Sequence, residues 1–267
     1  MGLLLKRELK SIFRKKSTWF FLLSIVLVTV VANLSMIIFR KWIYGTRDGT
    51  FSYNLIIFAE GFFWIPYYCS IFISDIAFGK KYPLPSDYWG QGDDRSTGGN
   101  GEPDSPTATQ IYFSKLLTAF ILLLIFAVFA AGAFLLLTPL MQIHDGTIDS
   151  YVIDDFLESV KNALPLFLAG ISMANMFLFG TKQKKKAYLL FAVFVILLPR
   201  LIMFLATDRI RILPCVFASK YLITPQFQAL QFFATRDVPK AYVTGLIYVL
   251  FSSAIGLSLY RRQCKET

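Results

Sequence analysis

Histidine, cysteine and charge are all scarce in this chain. Among its 267 residues there is one histidine, His144, and there are three cysteines, Cys69, Cys215 and Cys264. These residues are widely separated, so their spacing matches no zinc site, redox pair or disulfide framework. We therefore expect the chain to bind no metal and no cofactor, and we interpret the cysteines as structural.

Motifs that bind a nucleotide or activate a nucleophile are also missing. No GxxxxGK[ST] phosphate loop occurs, and the glycine-rich run at residues 98–101 has no lysine to meet a phosphate. GxSxG and HExxH are absent, and the only histidine lies in a polar stretch rather than inside the bilayer, where an intramembrane serine protease would need it. The sequence thus predicts a protein that is not an enzyme and has no ATPase of its own.

What the chain has instead is apolar length. It is 55% hydrophobic and only 16% charged, and its mean hydropathy is +0.55. A helix needs about 20 apolar residues to cross a hydrocarbon core of about 30 Å, and the runs are continuous, which disfavours an outer-membrane barrel. We expect an all-α membrane protein in which residues 1–267 form a single transmembrane domain. Its six predicted spans are Trp19–Phe39, Phe51–Phe78, Ile111–Leu140, Ala163–Gly180, Ala187–Thr207 and Ala241–Tyr260.

The distribution of lysine and arginine predicts the orientation. With the N-terminus in the cytoplasm, 17 of the 27 basic residues fall on the cytoplasmic side and nine on the other, with one left inside a span. This bias predicts a multi-pass protein of the plasma (inner) membrane with both termini cytoplasmic. The net charge of +10 is better explained by anionic lipid headgroups than by nucleic acid, because the basic residues flank apolar runs and form no single stripe.

An amphipathic pattern precedes the first span. Within residues 3–16, apolar side chains recur at i, i+4, i+7 and i+8, and basic residues occupy another face. The pattern predicts a short helix that lies in the cytoplasmic membrane interface, and the alternative is the ordinary basic flank of a signal anchor. The apolar stripe consists of Leu5, Leu9, Ile12 and Phe13.

Three irregular segments separate the spans. Residues 79–110 include GQGDDRSTGGNGEPDSP, have little to bury, and predict a mobile cytoplasmic loop. The acidic segment Gln142–Lys161 is interpreted as a solvated outer loop rather than a calcium site. Residues 208–240 predict either short re-entrant helices that dip into the outer half of the bilayer or amphipathic surface helices.

Two charges lie deep inside predicted spans. At about 1.5 Å per residue, Glu60 lies about 13 Å below Phe51, and Arg200 lies about 10 Å below Thr207. A lone charge at such depth is costly, so both side chains are expected to face the protein interior. They form either a structural ion pair or part of a substrate path, and Pro66 and Pro199 are expected to kink the same two helices.

Three segments are informative in combination. They are LLLKRELKSIFRKKSTWFF at the N-terminus, SPTATQIYFSKLL before the third span, and YLITPQFQALQFF before the last. Together they resemble the membrane subunit of the type-2 ABC transporter permease family, in its basic interfacial helix, its Pro-x-Ser-Arg stretch and its proline-containing re-entrant region. The chain departs from that pattern where Asp75 takes the place of a usual Glu, and where Thr107 to Thr109 lack the arginine.

The resemblance implies a permease subunit, most commonly of an exporter. Such a subunit forms a homodimer or pairs with a second related permease, and each copy docks on an ABC ATPase subunit that binds the ATP. Glu60 and Arg200 would then line the translocation path or the dimer interface. The candidate residues for coupling to the ATPase are Asp75, Lys80, Lys81, Pro106 and Lys115.

Two other interpretations remain open from the sequence. A non-transporting membrane scaffold, or an accessory subunit of a membrane complex, has the same topology, and co-purification with a nucleotide-binding subunit would separate it from a permease. A membrane-embedded enzyme would need catalytic groups that the sequence does not supply.

Overall fold

The computed structural model describes residues 2–44, 51–79, 83, 106–141, 150–181, 183–231 and 238–265, without the side chains of 2–4, 44, 51–53, 60, 150, 151 and 231. The described residues contain helices and no strand, which confirms the all-α membrane protein. The helices are α1 (Gly2–Phe13), α2 (Lys16–Tyr44), α3 (Phe51–Tyr68), α4 (Ser70–Phe78), α5 (Ala108–Met141), α6 (Ser150–Gly180), α7 (Lys184–Phe191), α8 (Leu198–Leu205), α9 (Leu213–Ser219), α10 (Ile223–Gln231) and α11 (Val238–Lys265).

Five helical segments in the described residues are long and apolar enough to cross a membrane. They are Lys16–Ile43, Ala108–Met141, Val152–Gly180, Lys184–Leu205 and Val238–Lys265. The second predicted span, Phe51–Phe78, is split into α3 and α4, whose axes differ by 45°, and it counts as a sixth span only if this bent pair is taken as one.

The bend between α3 and α4 follows the proline expected to cause it. Pro66 has no N–H to donate, so the carbonyl one turn before it loses its helical partner. The helix is interrupted three residues later at Cys69, where the amide still donates to the Ile65 oxygen at 2.8 Å while Phe72 N–H donates to the Cys69 oxygen at 3.0 Å. The shortened hydrogen-bond ring at Cys69 marks the change of direction.

The fifth span is also irregular near its proline. Residues Ala192–Leu197 between α7 and α8 form a π-helical segment, and Leu198 N–H donates to the Val193 oxygen five residues earlier. Pro199 follows immediately, and its ring removes a donor from the next turn. The expected kink therefore takes the form of a local widening of the helix.

The fourth span is longer than predicted. The sequence placed Gln142–Lys161 in a loop, but the chain is helical from Ser150 onward. The acidic side chains occupy the exposed face of this helical extension. Their abundance made the segment resemble a solvated loop, so its composition did not predict a helix. Buried residues recur at i, i+4, i+7 and i+11 on the opposite face, namely Val152, Phe156, Ser159 and Ala163.

The closest packing in the chain is between α6 and α11. Gly245 of α11 lies so near α6 that an added Cβ would come within 2.7 Å of the Pro165 carbonyl carbon. At Gly256 an added Cβ would meet the Tyr112 hydroxyl at 2.5 Å and the Met176 Cα at 3.0 Å. Small residues at these crossings let the two backbones approach, which is how membrane helices associate without a hydrophobic driving force.

The outer segment before the last span divides into two different helices. α10 packs against α3, α6 and α11, and its Phe227 is fully buried, with ring centroids 5.2 Å from Phe167 and 6.2 Å from Phe63. Phe63 lies about 18 Å along α3 from Phe51, so Phe227 packs well inside the bundle, away from the Phe51 end of α3. α9 has no buried residue. α10 thus packs into the helix bundle and α9 does not, and the choice between re-entrant and surface helices stays a prediction.

Replacing Gly245 by alanine should weaken the contact between α6 and α11. The new methyl group would overlap the Pro165 backbone, which cannot rotate away, and overpacking of this kind costs about 1–3 kcal/mol. We expect a lower midpoint of thermal unfolding in detergent, measured by size-exclusion chromatography of heated samples. Gly132→Ala is the matched control, because nothing lies within 4 Å of a Cβ added at Gly132; equal midpoints for both variants would refute the close packing.

Candidate functional site

Three lysines converge on the C-terminal end of α4. Lys15 comes from the turn between α1 and α2, Lys115 from α5 and Lys184 from the start of α7. The last carbonyls of a helix have no intrahelical partners and carry the negative end of the helix dipole, so cations are favoured there. We call these lysines, with the acidic and phenolic groups they contact, the lysine cluster; those groups are Glu8, Asp75 and Tyr188.

Lys115 forms the most buried ion pair of the cluster. Its ammonium group is 2.6 Å from the Glu8 carboxylate of α1, and the two side chains are 7% and 12% exposed. The same ammonium donates to the Ala77 carbonyl of α4 at 3.0 Å. A single side chain thus joins three helices, α1, α4 and α5, and a buried charge of this kind is tolerated because it is both paired and hydrogen-bonded.

Lys184 and Asp75 form the second ion pair. The Lys184 ammonium contacts one Asp75 carboxylate oxygen and donates to the Gly79 carbonyl at 2.6 Å. The Tyr188 hydroxyl, one turn along α7, donates to the other Asp75 oxygen at 3.0 Å. Asp75 therefore holds α7 against α4 through both of its oxygens, at the point where the chain leaves α4.

Lys15 completes the cluster without a carboxylate of its own. Its ammonium donates to the Ile76 carbonyl at 2.5 Å. Burial lowers the pKa of Lys15 below the usual lysine value, and the nearby Lys115 charge lowers that pKa further, while Glu8 acts in the opposite direction. Gly79, whose φ is +92°, turns the backbone here; a Cβ added at Gly79 would lie 3.9 Å from the Lys15 ammonium.

The C-terminal end of α11 reaches the same end of the bundle. Arg261 donates to the Thr109 hydroxyl of α5 at 2.8 Å, and the Gln263 amide donates to the Gly180 carbonyl of α6 at 2.9 Å. The Tyr260 hydroxyl donates to the Pro83 carbonyl at 2.6 Å. We call this end, where the lysine cluster and the end of α11 lie, the basic end.

The predicted coupling residues are only partly brought together. Asp75 and Lys115 both belong to the lysine cluster. Pro106 lies two residues before α5, where Thr107 and Gln110 cap the helix reciprocally through their side chains and backbone amides at 3.3 and 2.9 Å. Lys80 and Lys81 lie outside the described residues.

The N-terminal helix packs on the bundle, while its predicted place in the cytoplasmic membrane interface stays a prediction. α1 packs against α5, α2 and α4. Ile12 of the predicted stripe is fully buried, Leu5 and Leu9 are half-buried, and Phe13 is 37% exposed. The apolar stripe therefore faces the bundle, and the basic face points away from it.

Of the two charges predicted deep inside spans, the structure describes the side chain of Arg200, which is exposed and does not face the protein interior as expected. The Arg200 guanidinium lies over the Tyr68 ring, 5.4 Å from its centroid, which is a favourable position for a cation. Glu60 belongs to α3, but its side chain lies outside the described residues, so its pairing with Arg200 stays a prediction.

Sequence reasoning missed several polar contacts. Lys15 and Lys184 were assigned only to basic flanks, and Glu8 and Tyr188 were not singled out. Arg40 follows directly after the predicted first span, but it belongs to α2, is 6% exposed, and donates to the Asn54 side chain of α3. The sequence did contain a signal for this contact. A basic residue lies within one turn of the end of one apolar run, and a side-chain amide lies at the start of the next run.

Within the described part of the chain, no group of three or more His, Cys, Asp or Glu side chains could hold a metal ion. No family model matches the chain, and no curated protein matches its sequence.

Removing only one partner of the Lys115–Glu8 pair should lower the free energy of unfolding more than removing both charges does. Lys115→Met leaves the Glu8 carboxylate buried without its cation, and breaking a buried pair in this way costs about 3–5 kcal/mol. The double variant Lys115→Met/Glu8→Gln should recover a large part of that loss, as measured by chemical unfolding in detergent. Lys6→Met, on the exposed face of α1, is the control; additive effects of the two single substitutions would contradict the buried pair.

Proposed function

We propose that this chain is the membrane-spanning permease subunit of an ATP-driven ABC transporter, an exporter energised by a separate nucleotide-binding subunit. The observation that carries the proposal is the lysine cluster. It joins α1, α4, α5 and α7 at the basic end, where α4 ends at Phe78 and α5 begins at Ala108, so both ends of the segment 79–110 lie there. A partner that pushes on this segment would push on four helices at once.

Both ends of that segment are hydrogen-bonded to side chains from helices that we propose move during transport. At its start, the Ala77 and Gly79 carbonyls accept hydrogen bonds from Lys115 and Lys184. At its end, the Thr109 hydroxyl accepts one from Arg261 of α11. In the proposed orientation the basic end is cytoplasmic, so the segment faces the compartment that holds ATP. Force from an ABC ATPase would pass through these contacts into α4, α7 and α11.

Two breaks inside the bilayer supply the flexibility that alternating access requires. α4 meets α3 at 45° near Cys69, and α7 meets α8 through the π-helical segment Ala192–Leu197. The ends of α4 and α7 are tied to each other by Asp75 and Lys184. Rotation at the basic end would therefore change both bends together while α6 and α11 stay packed.

The proposal also includes a second membrane subunit. α2 and the α7–α8 span bury little surface within the chain, and both present long apolar faces. A homodimer or a pair with a related permease would cover part of these faces, with Glu60 of α3 and Arg200 of α8 near the shared path. The remaining faces would contact membrane lipid.

Affinity purification from native membranes tests the proposal. A tagged chain should bring down a second protein that carries a GxxxxGK[ST] phosphate loop and hydrolyses ATP. Deletion of residues 90–104 probes whether this stretch is only a tether, in which case the ATPase should still co-purify. A chain that is isolated with other membrane proteins but without any ATPase would favour the scaffold or accessory subunit.

Lys184→Met should uncouple ATP hydrolysis from transport. It removes the cation that holds Asp75 and Gly79, so α7 would no longer follow α4. We expect cargo movement per ATP hydrolysed to fall several-fold in the reconstituted complex, with the ATPase still bound. Lys185→Met is the matched control because Lys185 is exposed and adjacent; an equal loss in both variants would argue against the cluster as the coupling element.

A further inference from the structure

An exposed cation lies where α8 passes α3. The Arg200 side chain is exposed, and its guanidinium lies over the Tyr68 ring, 5.4 Å from the ring centroid. Tyr68 in turn stacks on Trp64, one turn earlier in α3, with the two ring centroids 5.7 Å apart and the ring planes inclined by 22°. We call these three side chains the Arg200 site.

The guanidinium has no carboxylate partner in the described part of the chain. Both salt bridges among the described residues belong to the lysine cluster, and no described side chain or carbonyl accepts a hydrogen bond from Arg200. A guanidinium carries five N–H donors in one plane and stays charged. When it stacks on a ring face, these in-plane donors remain available to an anion. The Arg200 site thus offers both charge and hydrogen-bond donors to a ligand.

Helix geometry places the guanidinium near the middle of its apolar span. Arg200 lies about 24 Å along the span from Lys184, at the basic end, and about 8 Å from Leu205 at the other end. Helical side chains lean toward the helix N-terminus, which for α8 is the direction of the basic end. The position of the ring agrees, because Tyr68 lies only about 10 Å along the chain from Asp75 of the lysine cluster. The Arg200 side chain therefore points away from the nearer end of the span.

The surface around the site is apolar. Phe204, one turn after Arg200 in α8, is 60% exposed. Phe72, just past the bend that follows Tyr68, is 50% exposed, and its ring centroid lies 5.3 Å from that of Tyr188 in α7. The two spans therefore touch on the basic-end side of the site. A ligand at the guanidinium would have the rest of its surface against apolar side chains and lipid.

The depth of the site selects the kind of anion. Phospholipid phosphates lie at the two faces of a hydrocarbon core about 30 Å thick, about 15 Å from its centre. A headgroup held at either face does not reach a guanidinium near the middle of the span. A carboxylate at the end of a single apolar chain does, because the rest of the molecule is as apolar as the surrounding lipid. Its two oxygens match the paired N–H donors of a guanidinium, and pairing offsets the cost of both charges in hydrocarbon.

We propose that Arg200 binds the carboxylate of a lipophilic single-chain acid. Tyr68 holds the guanidinium in position, and Trp64 supports the Tyr68 ring. The two opposite charges neutralise each other inside the span, and the apolar chain of the ligand lies along the exposed faces of α8 and α3. The inference stands whether or not the chain is a permease subunit.

Trp64 provides a fluorescent probe at the site. The chain has four tryptophans, so replacing Trp19, Trp42 and Trp89 by phenylalanine leaves Trp64 as the only one. This full-length variant is reconstituted in phosphatidylcholine vesicles and titrated with ionised stearic acid that carries a nitroxide on the fifth carbon of its chain. We expect saturable quenching of Trp64. The methyl ester of the same probe has no charge, so its half-maximal concentration should be at least several-fold higher.

Substitutions separate the charge from the apolar surface. Arg200→Gln should abolish the difference between the acid and its ester, and Arg200→Lys should keep part of it because the charge remains. Tyr68→Leu removes the ring under the guanidinium and should weaken binding of the acid but not of the ester. Arg209→Gln is the matched control, because Arg209 is exposed just beyond α8, and it should leave both titrations unchanged.

Three results would overturn the proposal. The first is equal half-maximal concentrations for the acid and the ester, and the second is an acid titration that Arg200→Gln leaves unchanged. The third is equally strong quenching by nitroxide-labelled phosphatidylcholine that unlabelled stearate does not relieve, which would identify bulk lipid as the occupant. If Arg200→Gln does not remain monodisperse, Arg200→Lys and the comparison of acid with ester decide the question.

Discussion

The termination of α4 is the interaction on which the rest of the basic end depends. A helix that ends inside a bundle leaves carbonyl oxygens without partners, and within or near lipid there is little water to satisfy them. Here the Ile76, Ala77 and Gly79 carbonyls each accept a hydrogen bond from a different lysine. Three ammonium groups so close together require anions, and Glu8 and Asp75 supply them.

This arrangement explains why so many elements meet at one place. Each lysine comes from a different part of the chain, so satisfying one helix end fixes the positions of the α1–α2 turn, α5 and α7. The cost of leaving any of these groups unpaired in a low-dielectric environment makes the geometry specific. The cluster therefore behaves as one mechanical unit, which is the property a coupling site needs.

The helical class and five of the six predicted spans were predictable from the sequence because they follow from the length and continuity of the apolar runs. The approximate placement of Asp75 near the end of α4 and of Lys115 near the start of α5 was also predictable. Their partners were not, because Lys15 and Lys184 lie in basic runs whose members look alike in one dimension. Only the fold shows that Lys184 reaches Asp75 while Lys185 is exposed.

The shape of the irregular helices was less predictable than their existence. Pro66 and Pro199 indicated two kinks, but a proline removes the same donor in both cases and does not determine how the helix compensates. The α3–α4 span compensates by an angular break, and the α7–α8 span by a π-helical segment. Similarly, the composition of Gln142–Lys161 indicated solvent, whereas its periodicity supports one buried face on an extended α6.

α4 connects the lysine cluster with an apolar cavity that lies between α2, α3 and α5. It is nine residues long, its Ile73 lines the cavity, and its last carbonyls bind the three lysines. A helix of this length, about 14 Å, moves as a rigid rod because its own hydrogen bonds resist bending. A change in the angle at Cys69 must therefore alter the cavity and displace the cluster together. The conformation of the basic end and the shape of the apolar cavity between α2, α3 and α5 are thus linked through a single short helix.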